Sequence, residues 1–153
     1  MKELVIIGAG GFGREVAWLI ERINAQEQTW KLVGFIDDNL PIGTKVGHYS
    51  VVGSITDVMN NDETHYAVCA IGNAKTRKNV IIQLEKNENI HFATVVDPTV
   101  QISDTAVLDE GCIVCAGTMI TVDIHIKKHT IVNLDCTVGH DVVIDPFCTL
   151  YPS

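Results

Sequence analysis

Basic residues are scarce in the second part of this 153-residue chain. Beyond residue 92 only Lys127 and Lys128 are basic, against eight acids, and the whole chain carries a formal charge of -8. A nucleic-acid partner needs a basic face, so that class is excluded. An anionic ligand has to be held by local groups rather than by the overall field. Long apolar runs are missing too. The longest uncharged one, Cys112 to Val122, is too short for a bilayer, which takes about 20 residues. The N-terminus, Met1-Lys2-Glu3, runs into a strand-like segment with no apolar signal-peptide core. The cytoplasm is therefore the expected compartment. Metal-ligand patterns reduce to a lone CxxC, Cys112 and Cys115, with no second pair and no histidines at ligand spacing. No metal is expected, and the cysteines read as free buried thiols.

What is present is a repeat of six. Val96, Ile102, Leu108, Val114, Ile120, Ile126, Val132, Val138, Ile144 and Leu150 are all branched aliphatics in one register. Four residues after each stand Val100, Ala106, Cys112, Thr118, Ile124, Thr130, Cys136, Val142 and Cys148, small or short except Ile124. This period fits neither a 3.6-residue helix nor a two-residue strand alternation. It is the hexapeptide pattern of a parallel β-helix. Each hexad supplies a short strand and a corner, and three hexads close a triangular coil. About three coils are expected, with the aliphatic filling the corner and the small residue pointing inward. Cysteine at that inward position acts as a compact hydrophobe.

The first 92 residues read differently. Glu3–Ile7 looks like a buried parallel strand. It runs into Gly8-Ala9-Gly10-Gly11-Phe12-Gly13, and residues 14–24 then have helical spacing. Strand, glycine turn and helix is the setting in which GxGxxG brings backbone N–H groups to an anion. Trp30–Ile36 reads as a second strand ending in Asp37-Asp38, acids able to accept from ribose hydroxyls. Residues 41–53 read as a loop with a short extended piece, and residues 54–60 as a short helix capped by Ser54. Tyr66–Ile71 is a third buried strand ending at Gly72-Asn73. A helix over residues 74–86 follows, with Lys75, Arg77 and Lys78 crowding its first turn. Positive charge there opposes the helix dipole unless an anion is near. His91–Val95 reads as a last strand. Strand and helix alternate, so a small Rossmann-like parallel sheet with helices on both faces is expected over residues 1–92. Its crevice gathers Gly10, Gly11, Asp37, Gly72 and Asn73 at the strand ends. The β-helix takes residues 93–153.

One turn interrupts the blandness of the hexads. In Val138-Gly139-His140-Asp141, the last two residues lie between the corner aliphatic and the inward Val142 and should be exposed. An outward histidine beside a carboxylate suits a general base. Asn133 lies seven residues earlier, on the preceding wall. His48, His65, His91, His125 and His129 read as surface features of loops, a strand start and the Lys127-Lys128 corner.

In order along the chain, IIGAGGFGREVAWLI, VGFIDD, AIGNAKTRKNVI, VVDPTV and NLDCTVGHDVVI resemble the sugar O-acyltransferases of the sialic acid O-acetyltransferase type. That group includes UDP-amino-sugar N-acetyltransferases. The resemblance implies a Rossmann-like domain for a nucleotide-sugar, usually UDP-linked, and a left-handed β-helix that forms a homotrimer and takes acetyl-CoA between subunits. It puts the catalytic histidine and its acid on His140 and Asp141, and an active-site asparagine on Asn133. Nucleotide contacts fall on Gly10, Gly11, Phe12, Gly13, Asp37, Asp38, Gly72 and Asn73. Some relatives carry His or Ser in the glycine turn where Gly10 and Phe12 stand here. The group also continues for several coils after its histidine, so the β-helix, ending inside a hexad at Tyr151-Pro152-Ser153, is expected to be incomplete. The implied reaction is transfer of an acetyl group from acetyl-CoA to an amino or hydroxyl group of the sugar. Two alternatives stay open: an NAD-dependent oxidoreductase, from GxGxxG and the acids, and a non-catalytic nucleotide-sugar-binding module.

Overall fold

Leu4 to Ile7 offers water no polar side chain. In the computed structural model, which describes residues 1–152, it forms most of β1 (Lys2–Ile7), an inner strand of a six-stranded sheet. The chain divides into two units, Met1–Phe92 and the residues from Ala93 onward.

In the first unit β1 is followed by α1 (Gly11–Gln26) and β2 (Trp30–Ile36). Then come β3 (Lys45–Val46), β4 (Tyr49–Gly53), α2 (Ile55–Met59), β5 (His65–Cys69), α3 (Ala74–Leu84) and β6 (Ile90–Phe92). The sheet order is β3-β4-β2-β1-β5-β6. It grows outward in both directions from β1 and β5, so right-handed crossovers put α1 and α3 on opposite faces. The switch point lies between these two strands.

The sheet is not purely parallel. Residues 41–53, expected to be mostly loop, build the β3–β4 hairpin, in which Lys45 pairs antiparallel with Ser50 while β4 runs parallel to β2. The alternation there is short and interrupted by Gly47, so it carried little strand signal. The expected strand at His91–Val95 is split as well. Ile90–Phe92 pairs with β5, whereas Val95 pairs with Ile113 in the second unit. Helix α2 has its capping box: the Ser54 hydroxyl accepts from Asp57 N–H, and the Asp57 carboxylate from Ser54 N–H.

The second unit is a run of two-residue strands six residues apart. They are β7 (Val95–Val96), β8 (Gln101–Ile102), β9 (Val107–Leu108), β10 (Ile113–Val114), β11 (Met119–Ile120), β12 (His125–Ile126), β13 (Ile131–Val132), β14 (Thr137–Val138), β15 (Val143–Ile144) and β16 (Thr149–Leu150). They stack into three parallel sheets, β7-β10-β13-β16, β8-β11-β14 and β9-β12-β15. Each strand pairs with its counterpart one coil on, as Ile113 does with Ile131. The second strand residues form the interior: Val114, Ile120, Ile126, Val132, Val138 and Ile144 are all buried. Ile102, in the first coil, is 40% exposed.

The small inward residues do more than leave room. Thr118 and Thr130 donate to the carbonyls of Asn133 and Asp145 at 2.9 Å, and the Cys112 and Cys136 thiols donate to Lys127 and Tyr151 at 3.2 Å. These part-buried bonds give a partner to carbonyls that the strand ladders leave unpaired, and Thr and Cys are short side chains that carry a donor. Cysteine here is therefore a donor as well as a space-filler. Burial pushes the Cys69 thiol up to about 12 and the Cys112 thiol up to about 11. Both stay protonated near neutral pH, which suits neither a metal ligand nor a nucleophile. Cys148 is only half-buried, contrary to expectation.

The corners share a backbone requirement. Gly111, Gly117, Asp123, His129, Asp135, Asp141 and Phe147 all have φ between 56° and 78°. Where glycine is absent, Asp is the commonest choice, a residue that tolerates the left-handed region better than most. His129, expected at the surface, is buried and stacks on Phe147 with ring centroids 5.3 Å apart. Gly111 sits one coil below, and a Cβ there would run into the His129 ring.

No helix among the described residues is long and apolar enough to cross a membrane. Gly111→Ala combines left-handed strain with that collision. It should cost roughly 2–4 kcal/mol, read as a lowered midpoint in urea denaturation.

Candidate functional site

Two places in the fold bring chemistry-bearing residues together, one in each unit. In the first unit a crevice of about 540 Å³ opens at the carboxyl ends of β1, β2 and β5. That volume lies within the range of small-molecule sites. Its walls include Gly10, Gly11 and Phe12 from the glycine turn, Asp37 and Asp38 from the end of β2, and Gly72 from the end of β5.

The glycine turn is built around one close approach. A Cβ on Gly13 would collide with the carbonyl of Gly8, so the first turn of α1 packs directly on the end of β1. Gly13 therefore shapes the crevice without lining it. Gly10, by contrast, faces open space, and it is the N-cap of α1 without a side-chain cap. The first N–H groups of α1 are consequently left for a ligand or water.

The other predicted residues divide. Asp37 accepts from Ala9 N–H at 2.9 Å and from Asn39 N–H at 2.8 Å. Asp38 accepts from Ile55 N–H at 2.8 Å. Asn73 caps α3: its side-chain oxygen accepts from Thr76 N–H at 3.0 Å and from the Thr76 hydroxyl at 3.1 Å. Thr76, not Asn73, reaches the crevice, together with Asn39, Ile55 and Val80. The Asn-x-x-Thr cap pattern was the available signal for Thr76. Arg77 is neither a solvated cation nor a free phosphate ligand. It is buried, and its Nη1 donates to the carbonyls of Ile71 and Gly72 at 2.8 and 3.1 Å. It braces the end of β5.

In the second unit His140 and Asp141 form the turn between β14 and β15. The Nδ1 of His140 is 2.9 Å from Asp141 Oδ2, and the side chains are 80% and 73% exposed. An ionised carboxylate only accepts, so Nδ1 carries the hydrogen, and in the neutral ring Nε2 then holds the lone pair. Asp141 is also a corner residue: its φ is 62° and its N–H donates to Val122 O at 3.2 Å. Asn133 occupies the preceding corner, where its side-chain oxygen accepts from Leu134 N–H at 2.7 Å.

A second histidine–carboxylate pair escaped the sequence reading. His125 Nε2 lies 2.9 and 3.0 Å from the two oxygens of Asp109. The partners are sixteen residues apart, and only the stacking of coils brings them together. His65 was also expected at the surface; it is buried, with Nδ1 on the carbonyl of Glu63 at 2.7 Å.

Residues 3–84, more than half of the chain, match the family described as the PglD N-terminal domain. The chain belongs to that family. Over 118 residues it is 29% identical to the UDP-N-acetylbacillosamine N-acetyltransferase of Bacillus subtilis (strain 168), covering 76% of this chain and 52% of that protein. Over 149 residues it is 28% identical to the GDP-perosamine N-acetyltransferase of Escherichia coli O157:H7, covering 96% of this chain and 66% of that protein. Among solved structures, the acetyltransferase domain of PglB from Neisseria gonorrhoeae FA1090, in complex with acetyl coenzyme A, superposes with a TM-score of 0.85. It is 24% identical, and the match covers 99% of this chain and 71% of that one. An α/β sheet domain followed by a three-sheet parallel β-helix is thus the PglD-like architecture. The chain spans about half to two thirds of the length of these curated relatives. Both act on nucleotide-linked amino sugars by name, which points away from the sialic acid O-acetyltransferase branch of the resemblance.

Gly13→Ala forces backbone apart and should lower Tm by more than about 5 °C, whereas Gly10→Ala, with space for its Cβ, should stay within about 2 °C. Thermal melts of the two variants check this.

Proposed function

We propose that this PglD-family chain carries the acceptor site and catalytic base of an acetyl-CoA-dependent N-acetyltransferase acting on a nucleotide-linked amino sugar. The observation that carries the reading is the His140–Asp141 pair at 2.9 Å, with the free ring nitrogen turned to solvent. The relatives' names and the 540 Å³ crevice support it.

The chemistry follows from the groups. The sugar amine attacks the thioester carbonyl carbon of acetyl-CoA, and a C–N bond forms. His140 Nε2 takes the proton the amine loses, and Asp141 holds the ring and stabilises the imidazolium. The tetrahedral intermediate collapses, the C–S bond breaks, and the CoA thiolate leaves and is protonated by the imidazolium. No covalent enzyme intermediate is needed, because the thioester is already activated. In the first unit the crevice holds the nucleotide, with Gly10, Gly11 and Phe12 at the uncapped start of α1 facing the diphosphate. Tethering the sugar by its nucleotide supplies orientation. We assign Asn133 to placing the acceptor. Titration with NADH against UDP- and GDP-sugars separates this reading from an oxidoreductase: tight NADH binding alone counts against it.

His140→Ala removes the base without disturbing the core, since an exposed pair of this kind adds at most about 1 kcal/mol of stability. Acetyl transfer, followed by release of CoA thiol, should fall by about 10²–10⁴-fold while nucleotide-sugar affinity changes less than about twofold. Turnover that survives the change sinks the mechanism.

We also propose a homotrimer. The outward strand residues Val107 and Val143 are 53% and 60% exposed on one wall, and Met119 is 40% exposed on another. Exposed apolar surface of this kind favours self-association. Light scattering should return three times the 16.7 kDa chain mass. A monomer at micromolar concentration argues against it.

A further inference from the structure

Two adjacent acids end β2, and their position alone gives both the same task of accepting from ribose. The hydrogen bonds separate them. Both oxygens of Asp37 are engaged: Oδ2 by Ala9 N–H at 2.9 Å, Oδ1 by Asn39 N–H at 2.8 Å. Ala9 belongs to the glycine turn, so this carboxylate ties the turn to the end of β2. The link runs beside a backbone bond from Gly8 N–H to Ile36 O at 2.8 Å. Asp38 engages only Oδ1, on Ile55 N–H at the start of α2. It is exposed and lines the crevice, and its Oδ2 has no hydrogen bond among the described residues.

We infer that Asp38 reads the ribose hydroxyls, and that Asp37 is a positioning residue that holds the glycine turn and the uncapped start of α1 in place. This rests on the nucleotide-sugar reading above. A vicinal diol brings two O–H donors and needs an acceptor with open lone pairs. Asp38 Oδ2 offers two in the crevice wall, whereas each oxygen of Asp37 already accepts one backbone N–H. The charge of Asp37 is also spread into two charge-assisted backbone bonds. Its anion is thus stabilised by the backbone it positions.

The substitutions D37N and D38N test the division because each changes one thing. In D38N the amide oxygen still serves Ile55, and the open acceptor becomes a donor. In D37N the new NH₂ confronts one of the two backbone N–H donors. The experiment pairs thermal melts of the ligand-free proteins with calorimetric titrations. The probes are uridine and guanosine diphosphates and their 2′,3′-dideoxy counterparts.

Wild type should lose about tenfold or more in affinity when the hydroxyls are removed, as expected for bonds to a charged acceptor. D38N should shrink that ratio to about threefold or less and melt within about 2 °C of wild type. D37N should melt several degrees lower, roughly 3–6 °C. It should weaken hydroxyl and dideoxy forms alike, keeping the wild-type ratio. An unfolded D37N is the extreme of that outcome, and D38N then decides the ribose assignment alone. The inference is overturned if D37N melts like wild type, or if D37N collapses the hydroxyl ratio while D38N preserves it. Should wild type bind neither nucleotide, the nucleotide-sugar reading falls and the ribose role with it. The melting point of D37N still decides the positioning role.

Discussion

Every sixth residue of the second unit, from Gly111 on, must take a left-handed backbone conformation, because a triangular coil turns a corner there. The rest of the β-helix follows from this constraint. It limits those positions to Gly, Asp and a few residues held in place by stacking, such as His129 on Phe147. It presents the residue just before most corners to solvent, Ala116 and Leu134 being half-buried. At the corner before β15 these are Asp141 and His140. Asp141 satisfies the backbone and at the same time holds the imidazole. The base is thereby placed on a scaffold whose geometry owes nothing to catalysis.

The inner column of that corner is distinctive. Beneath the other corners stand Cys112, Thr118, Thr130 and Cys136, which donate to backbone carbonyls, together with Val100 and Cys148. Beneath the His140 corner stand Ala106, Ile124 and Val142, which cannot; Val142, expected to point inward, is 37% exposed. The large Ile124, an irregularity in the sequence pattern, is thus part of a column without side-chain donors. The crevice in the first unit shows the converse economy. Gly13 permits the close packing of α1 on β1, Asp37 ties down the turn, and Arg77 braces the neighbouring strand end. Much of what surrounds the crevice works on the backbone, and fewer side chains remain for a ligand.

The legible features were those set by short-range periodicity. The hexads gave strand positions, inward and outward faces, and the exposure of His140 and Asp141. The glycine turn and the apolar strands gave the first sheet and most of the crevice wall. The features that stayed hidden depend on contacts between segments far apart in sequence. Nothing local marks His125 as the partner of Asp109, since the two meet only through coil stacking. Arg77 reads as one of three exposed cations until the strand-end carbonyls are seen around it. The β3–β4 hairpin carries too few residues to show a period.

By itself, the sequence determined the architecture: a period of six can close only as a stacked prism, and strand–glycine–helix alternation closes only as a wound sheet. It also singled out the outward His-Asp turn, because exposure in a strict repeat is a matter of counting. The tertiary structure alone decided which groups are available. Asp37 and Asp38 are equally polar on paper. Only folding shows that both oxygens of Asp37 are already committed and that one oxygen of Asp38 is not. The physical reason is that the two acids are told apart by donors from far along the chain, Ala9 N–H on Asp37 and Ile55 N–H on Asp38, which only the approach of distant segments supplies.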